Sequence, residues 1–138
     1  MDDVLLNKAA AIQRAVRRVR EEHAGDDGHL LSNETKQDAI ILNLQRACET
    51  SIDAAMHLVR LHRLGVPQET REAFSLLETA GMLDHALADQ MRKMVGFRNV
   101  ATHEYQKLDL DIVRRIVAES LDDFLAFTRI LLKAGPTP

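Results

Sequence analysis

The stretch Ile40-Ile41-Leu42-Asn43-Leu44-Gln45-Arg46-Ala47-Cys48-Glu49-Thr50-Ser51-Ile52-Asp53-Ala54-Ala55-Met56-His57-Leu58-Val59 decides the fold class. Ile41, Leu44, Cys48, Ile52, Ala55 and Val59 recur at spacings of three and four, which lays them along one stripe of an α-helix. Ile40, Ala47, Ala54 and Leu58 widen that stripe, as expected of a helix touching two or three neighbours. The pattern predicts a helix over 33–64. Ser32 or Asn33 can cap it, Thr35 with Asp38 also has capping-box spacing, Gly65 stops it and Pro67 prevents its continuation.

The same vocabulary of Ala, Leu, Arg and Glu extends outward on both sides. Leu5, Ala9, Ile12, Val16 and Val19 predict a helix over 1–22, with Arg14, Arg17, Arg18 and Arg20 crowding its remaining surface as a solvated face or an RNA-facing patch. His23 to Leu31, with Gly25-Asp-Asp-Gly28, is expected to be a mobile, turn-rich loop. A short helix is expected over 68–80, with Ala73, Phe74 and Leu77 inward and Gly81 as terminator. Another is expected over 84–101, capped by Asp84 and striped by Leu87, Met91 and Met94. The last is expected over 109–134, opened by Asp109 or Asp111 and followed by a frayed tail, Gly135-Pro-Thr-Pro138. No strand pattern competes. The expectation is one all-α domain over 1–138, an up-and-down bundle of four main helices plus one short helix.

Composition narrows the function classes. Hydrophobic residues are 46% and charged residues 28%, a globular balance. The net charge of −3 argues against a broadly basic nucleic-acid coat, though a local basic groove remains open. With no Trp and 4% aromatics, a base-stacking platform is poorly supplied. The single cysteine, Cys48, cannot form an internal disulfide and reads as a small buried thiol. No segment approaches the roughly 18 apolar residues of a membrane span, and the acidic start, Met1-Asp-Asp-Val, is unlike a signal peptide. A cytoplasmic location is expected.

Chemistry concentrates in Met94-Val-Gly-Phe-Arg98-Asn99-Val-Ala-Thr-His103-Glu-Tyr105, which contains the only tyrosine of the chain. Arg98 continues the apolar stripe Leu87, Met91, Met94, where a charge is costly unless it is paired, hydrated or placed in a groove. Asn99 and His103 share a face if the helix persists. Arg98 and His103 are five apart, about 140° around an ideal helix. They converge on one anion only if the helix loosens near Thr102 or a second copy of the motif faces the first. A guanidinium binds phosphate bidentately and an imidazole moves a proton near neutrality, sufficient together for metal-independent phosphodiester cleavage. A surface ion pair from Arg98 and a helix-end cap from His103 are the competing readings, and Tyr105 alone is more often a packing residue. Asp53 and His57 are expected to pair on a helix surface. No metal-ligand set or Gly-rich phosphate loop is present, and no cofactor is expected.

This stretch resembles the signature of HepT-like proteins, the toxin component of HepT/MntA toxin–antitoxin modules in the HEPN superfamily. The similarity extends to Gln37-Asp38, Asn43, Gln45-Arg46 and Glu49, to Leu64-Gly65-Val66-Pro67, to Arg71-Glu72-Ala73-Phe74, and to Leu108-Asp109 with Ile112-Val113. The resemblance implies a helical HEPN-type bundle that homodimerises, placing two R-x4-H motifs around one cleft. It implies an endoribonuclease acting on RNA without a metal, with Arg98 and His103 as the catalytic pair and Asn99 in support. It further implies a toxin neutralised by an MntA-like nucleotidyltransferase antitoxin that transfers AMP to the tyrosine of the H-x-Y element, here Tyr105. An alternative is a non-catalytic RNA- or nucleotide-binding partner subunit of a nucleotidyltransferase, and a dimeric helical scaffold is the plainest reading.

Overall fold

Side-chain caps set where the helices begin. In the computed structural model, which describes residues 2–134, carboxylates or amides one residue ahead of a helix accept its otherwise unpaired amide hydrogens. Asp2 caps α1 (Asp3–His23) through the Leu5 amide at 3.0 Å. Asp26 caps α2 (Asp27–Leu31) through Gly28 at 2.8 Å. Asn33, not Ser32, caps α3 (Glu34–Leu61) through Lys36 at 3.0 Å. After α4 (Thr70–Thr79), Asp84 caps α5 (His85–His103) through Leu87 at 2.8 Å. A 3-10 turn, Tyr105–Lys107, leads to Asp109, which caps α6 (Leu110–Glu119) through Asp111 at 2.9 Å. Helix α7 (Leu121–Lys133) closes the bundle. No strand occurs among the described residues, and the expected tail, 135–138, lies outside them.

The described residues share one apolar core. Helix α1 packs along α3, α7 covers α1 and α3, and α4 and α5 complete the layer. The expected stripes supply this core: Leu5, Ala9, Ile12, Val16 and Val19 from α1, and Ile41, Leu44, Cys48, Ile52, Ala55 and Val59 from α3, are all buried. Phe74 of α4 meets Phe127 of α7 edge to face, centroids 5.7 Å apart at 68°, a geometry worth about 0.5–1.5 kcal/mol beyond area burial. Arg20 donates to Asp122 at 2.9 Å, setting the end of α1 beside the start of α7, so the two run antiparallel.

Three segments differ from the sequence expectation. The region 23–31 is not a loop throughout, because Asp26 caps a single turn and fully buried Leu30 anchors it. Helix α3 stops at Leu61, three residues early. Arg63, at φ 55°, adopts the left-handed conformation, with Leu64 N–H donating to Val59 O at 3.0 Å and Arg63 N–H to Arg60 O at 3.2 Å. This is a Schellman termination with an arginine where glycine is usual, and Gly65 (φ 132°) only follows it. The expected helix over 109–134 breaks at Ser120, which lets α6 reach α2 while α7 lies on α1. The inward stripe Val113, Ile116, Val117, Leu121, Phe124 runs across the break without interruption, so periodicity carries no sign of it.

Candidate functional site

Helix α5 remains helical to His103, where Glu104 N–H donates to Val100 O at 2.9 Å and the chain leaves the helix. The motif therefore sits on regular helix, which does not loosen at Thr102. Within one chain Arg98 and His103 diverge by about 140°.

Arg98 turns into the bundle. Its Nη1 donates to Glu49 Oε1 of α3 at 3.0 Å, with the arginine side chain 17% exposed and the glutamate 41%. Its Nε is buried without a hydrogen-bond partner among the described residues. The stripe that runs through Met91 and Met94 thus ends on a charge neutralised by a neighbouring helix, which resolves the cost of placing it there. One turn on, Gln45 Nε2 donates to Thr102 Oγ1 at 2.9 Å. Just past the helix, Tyr105 Oη donates to Asp38 Oδ1 at 3.1 Å. These three contacts form a polar ladder up the seam between antiparallel α3 and α5.

His103 points the other way. It is exposed, and among the described residues its ring makes no side-chain hydrogen bond or ion pair. Asn99, on the same face, is also exposed. It lines a small cleft of about 380 Å³ with Val95, Thr70 and Arg71. Arg71 reaches from α4 to donate to Arg92 O at 3.2 Å. Its Nη2 occupies the space above Gly96, 2.9 Å from where a Cβ there would stand, so the glycine permits this close approach. On the adjacent flank, α5 and α6 bound a wider groove of about 690 Å³, with Phe97, Leu108 and Ile112 on its floor and Lys93, Lys107 and Arg115 among its lining.

Tyr105 is 47% exposed on the 3-10 turn. Partial burial, and then the hydrogen bond to Asp38, push its phenol above the usual value of 10.0. Cys48 is fully buried in α3, and burial followed by the neighbouring Glu49 pushes its thiol up, with Arg98 opposing. A fully buried, protonated thiol serves packing. Asp53 pairs with Lys8 at 3.7 Å, not with His57, whose Nε2 meets Asp2 Oδ2 at 3.0 Å instead. No group of three or more metal-ligating side chains is assembled among the described residues.

The residues that sequence reasoning left without a role are those of α3 and α4: Glu49, Gln45, Asp38 and Arg71. The first three carried a signal. Their spacings of four and seven put them within about 40° of one another on a single helical face, a polar stripe beside the apolar one.

A family model described as Ribonuclease HepT-like matches residues 12–131. The mRNA nuclease HepT of Shewanella oneidensis is 43% identical over 131 residues, 95% of this chain and 98% of that protein. The fold of this chain matches that of the tri-AMPylated Shewanella oneidensis HEPN toxin in complex with MNT antitoxin, with a TM-score of 0.90, 42% identity, and coverage of 96% of this chain and 99% of that one. A crystal structure of a toxin–antitoxin with AMP-PNP matches with a TM-score of 0.90 at 41% identity over the same shares.

Proposed function

This chain belongs to the HepT-like ribonuclease family and is an RNase-type toxin, and from that premise we propose that Arg98 and His103 cut RNA at a cleft built across a homodimer. The observation that carries the reading is the unbroken course of α5 through His103. It turns Arg98 toward α3 and His103 toward solvent, so one chain holds two halves of a site that a second copy of the motif would complete.

In that cleft a guanidinium balances the charge that develops on the scissile phosphate. An imidazole takes the proton from the ribose 2′-hydroxyl or returns one to the leaving 5′-oxygen. The 2′-oxygen–phosphorus bond forms as the phosphorus–5′-oxygen bond breaks, and no metal is required. Asn99, on the His103 face, supports the phosphate or the ring. Glu49 holds the arginine through Nη1, leaving Nη2 for the substrate.

The partner that restrains this activity is an MNT-type nucleotidyltransferase antitoxin, and Tyr105 is the acceptor of AMP. Its phenol is half exposed, two residues beyond His103. Each transferred nucleotide would add bulk and negative charge beside the imidazole, opposing the approach of a polyanion. No helix of the described residues is long and apolar enough to cross a membrane, and a cytoplasmic site of action fits the RNA substrate.

Arg98→Ala and His103→Ala should each abolish RNA cleavage while leaving far-UV circular dichroism unchanged. Cleavage at the wild-type rate by either purified variant overturns the assignment. A pH–rate profile that follows an imidazole separates catalysis from simple RNA binding.

A further inference from the structure

We propose that Asp38 is the proton acceptor for the nucleotidylation of Tyr105, so that the toxin supplies from its own α3 the base that its own inactivation requires. The inference rests on the reading of Tyr105 as the AMP acceptor. The antitoxin would then bring the nucleoside triphosphate and align it, while the acceptor chain activates the nucleophile.

The geometry is direct. Tyr105 Oη donates to Asp38 Oδ1 at 3.1 Å, and this is the only side-chain hydrogen bond either residue makes among the described residues. Asp38 forms no ion pair there, in contrast to Glu49, which is engaged by Arg98 two rungs down the same seam. The two residues approach from separate elements: Asp38 on the first turns of α3, and Tyr105 on the 3-10 turn closed by Leu108 N–H to Tyr105 O at 3.1 Å. The contact is therefore an arrangement of the fold rather than a property of neighbouring residues. The phenol lies beside a small cleft of about 350 Å³ lined by Gln37, Ile41 and Gln106 of the same seam, and the residue is 47% exposed.

The chemistry needs such a group. The phenol's ionisation is raised, so at neutral pH the oxygen carries its proton and is a weak nucleophile. In the transfer, Oη attacks the α-phosphorus of a nucleoside triphosphate. The Oη–phosphorus bond forms, the bond to the bridging oxygen breaks, pyrophosphate departs with its electron pair, and the phenolic proton passes to Asp38. Burial first, and then the hydrogen bond to Asp38, raise the pKa of the resting phenol, and the same carboxylate receives its proton as the new bond forms. The charged groups acting on the phenol are Asp38 and Glu34 of α3; its own segment also carries the titratable His103 and the Glu104–Lys107 ion pair at 3.7 Å. The part of α6 that faces the cleft presents Leu110. Of these, Asp38 alone hydrogen-bonds the reacting oxygen.

The test uses the intact chain with an MNT-family nucleotidyltransferase that modifies it, magnesium and ATP, following the AMP mass increment by mass spectrometry. Asp38→Asn keeps an acceptor oxygen and removes the base. It should slow incorporation by about 10²-fold or more, through kcat with little change in KM for the toxin. Asp38→Glu should recover part of the rate. Incorporation by Asp38→Asn within about threefold of wild type, a faster rate, or a loss confined to KM overturns the proposal. Tyr105→Phe is read separately: an increment that persists there refutes the acceptor assignment, whereas a normal increment in Asp38→Asn with none in Tyr105→Phe refutes only the role of Asp38.

Discussion

If one phosphate is gripped by Arg98 of one subunit and His103 of the other, two dead proteins should make a live one. Arg98→Ala and His103→Ala homodimers each lack one member of every composite site. A mixed dimer has one site missing both residues and one site intact. With random exchange between equal amounts of the two variants, about half of the dimers are mixed and each carries one of two sites, so about a quarter of wild-type activity returns. Isolating mixed dimers through two different affinity tags should raise this to about a half. The assay is cleavage of a fluorescently labelled RNA, with each single variant as background. The figure follows from the uninterrupted helix through His103, which separates the two side chains by about 140° within a chain. Were both residues to act within one subunit, every site of a mixed dimer would remain one residue short. Tag-purified mixed dimers with no more activity than the single variants would refute the composite site.

Three other perturbations test the supporting structure. Glu49→Ala removes the partner of a mostly buried arginine; because Glu49 is 41% exposed, the loss should be near about 1 kcal/mol, a fall of about 3–5 °C in Tm, with RNA cleavage reduced more than stability would suggest. Unchanged Tm and unchanged cleavage would show that the guanidinium is held by other means. Arg63→Gly relieves a left-handed backbone at the end of α3 and should raise stability by about 0.5–1 kcal/mol in a urea titration, a loss being the contrary result. In acid, Asp2, Glu78 and Asp111 sit below their ordinary values of 3.8, 4.5 and 3.8, held chiefly by His57, Arg92 and Arg114 respectively. Depressed carboxylates stabilise the fold above their unfolded values and release that contribution as pH falls through the folded ones. The urea midpoint should thus decline below about pH 4, with Asp2→Asn flattening the slope; Asp123, raised by burial, acts in the opposite sense.

The inward stripes were legible because burial and helical periodicity are the same information seen twice. The positions Leu5, Ile12, Ile41, Leu44, Phe74 and Leu77 needed no tertiary knowledge. Breaks were less visible. The stripe crosses Ser120 in phase, and Arg63 bears the turn that Gly65 seemed placed to make, so neither boundary shows in residue type. Arg98, His103, Asn99 and Tyr105 stood out by their chemistry, but their partners did not. Glu49 and Asp38 are ordinary acidic residues of a long helix until α5 is laid antiparallel to it. What could be read locally was the identity of the reactive groups; what required the fold was who holds them.

The Tyr105–Asp38 contact also makes this protein its own optical instrument. The chain has one tyrosine and no tryptophan, so its phenolic absorbance and emission come from a single oxygen at the edge of the proposed site. A carboxylate hydrogen-bonded to a phenol alters that emission, and esterification of the oxygen abolishes the phenolate band in alkali. The state of that one oxygen can thus be read on the unlabelled protein, without a dye in the cleft.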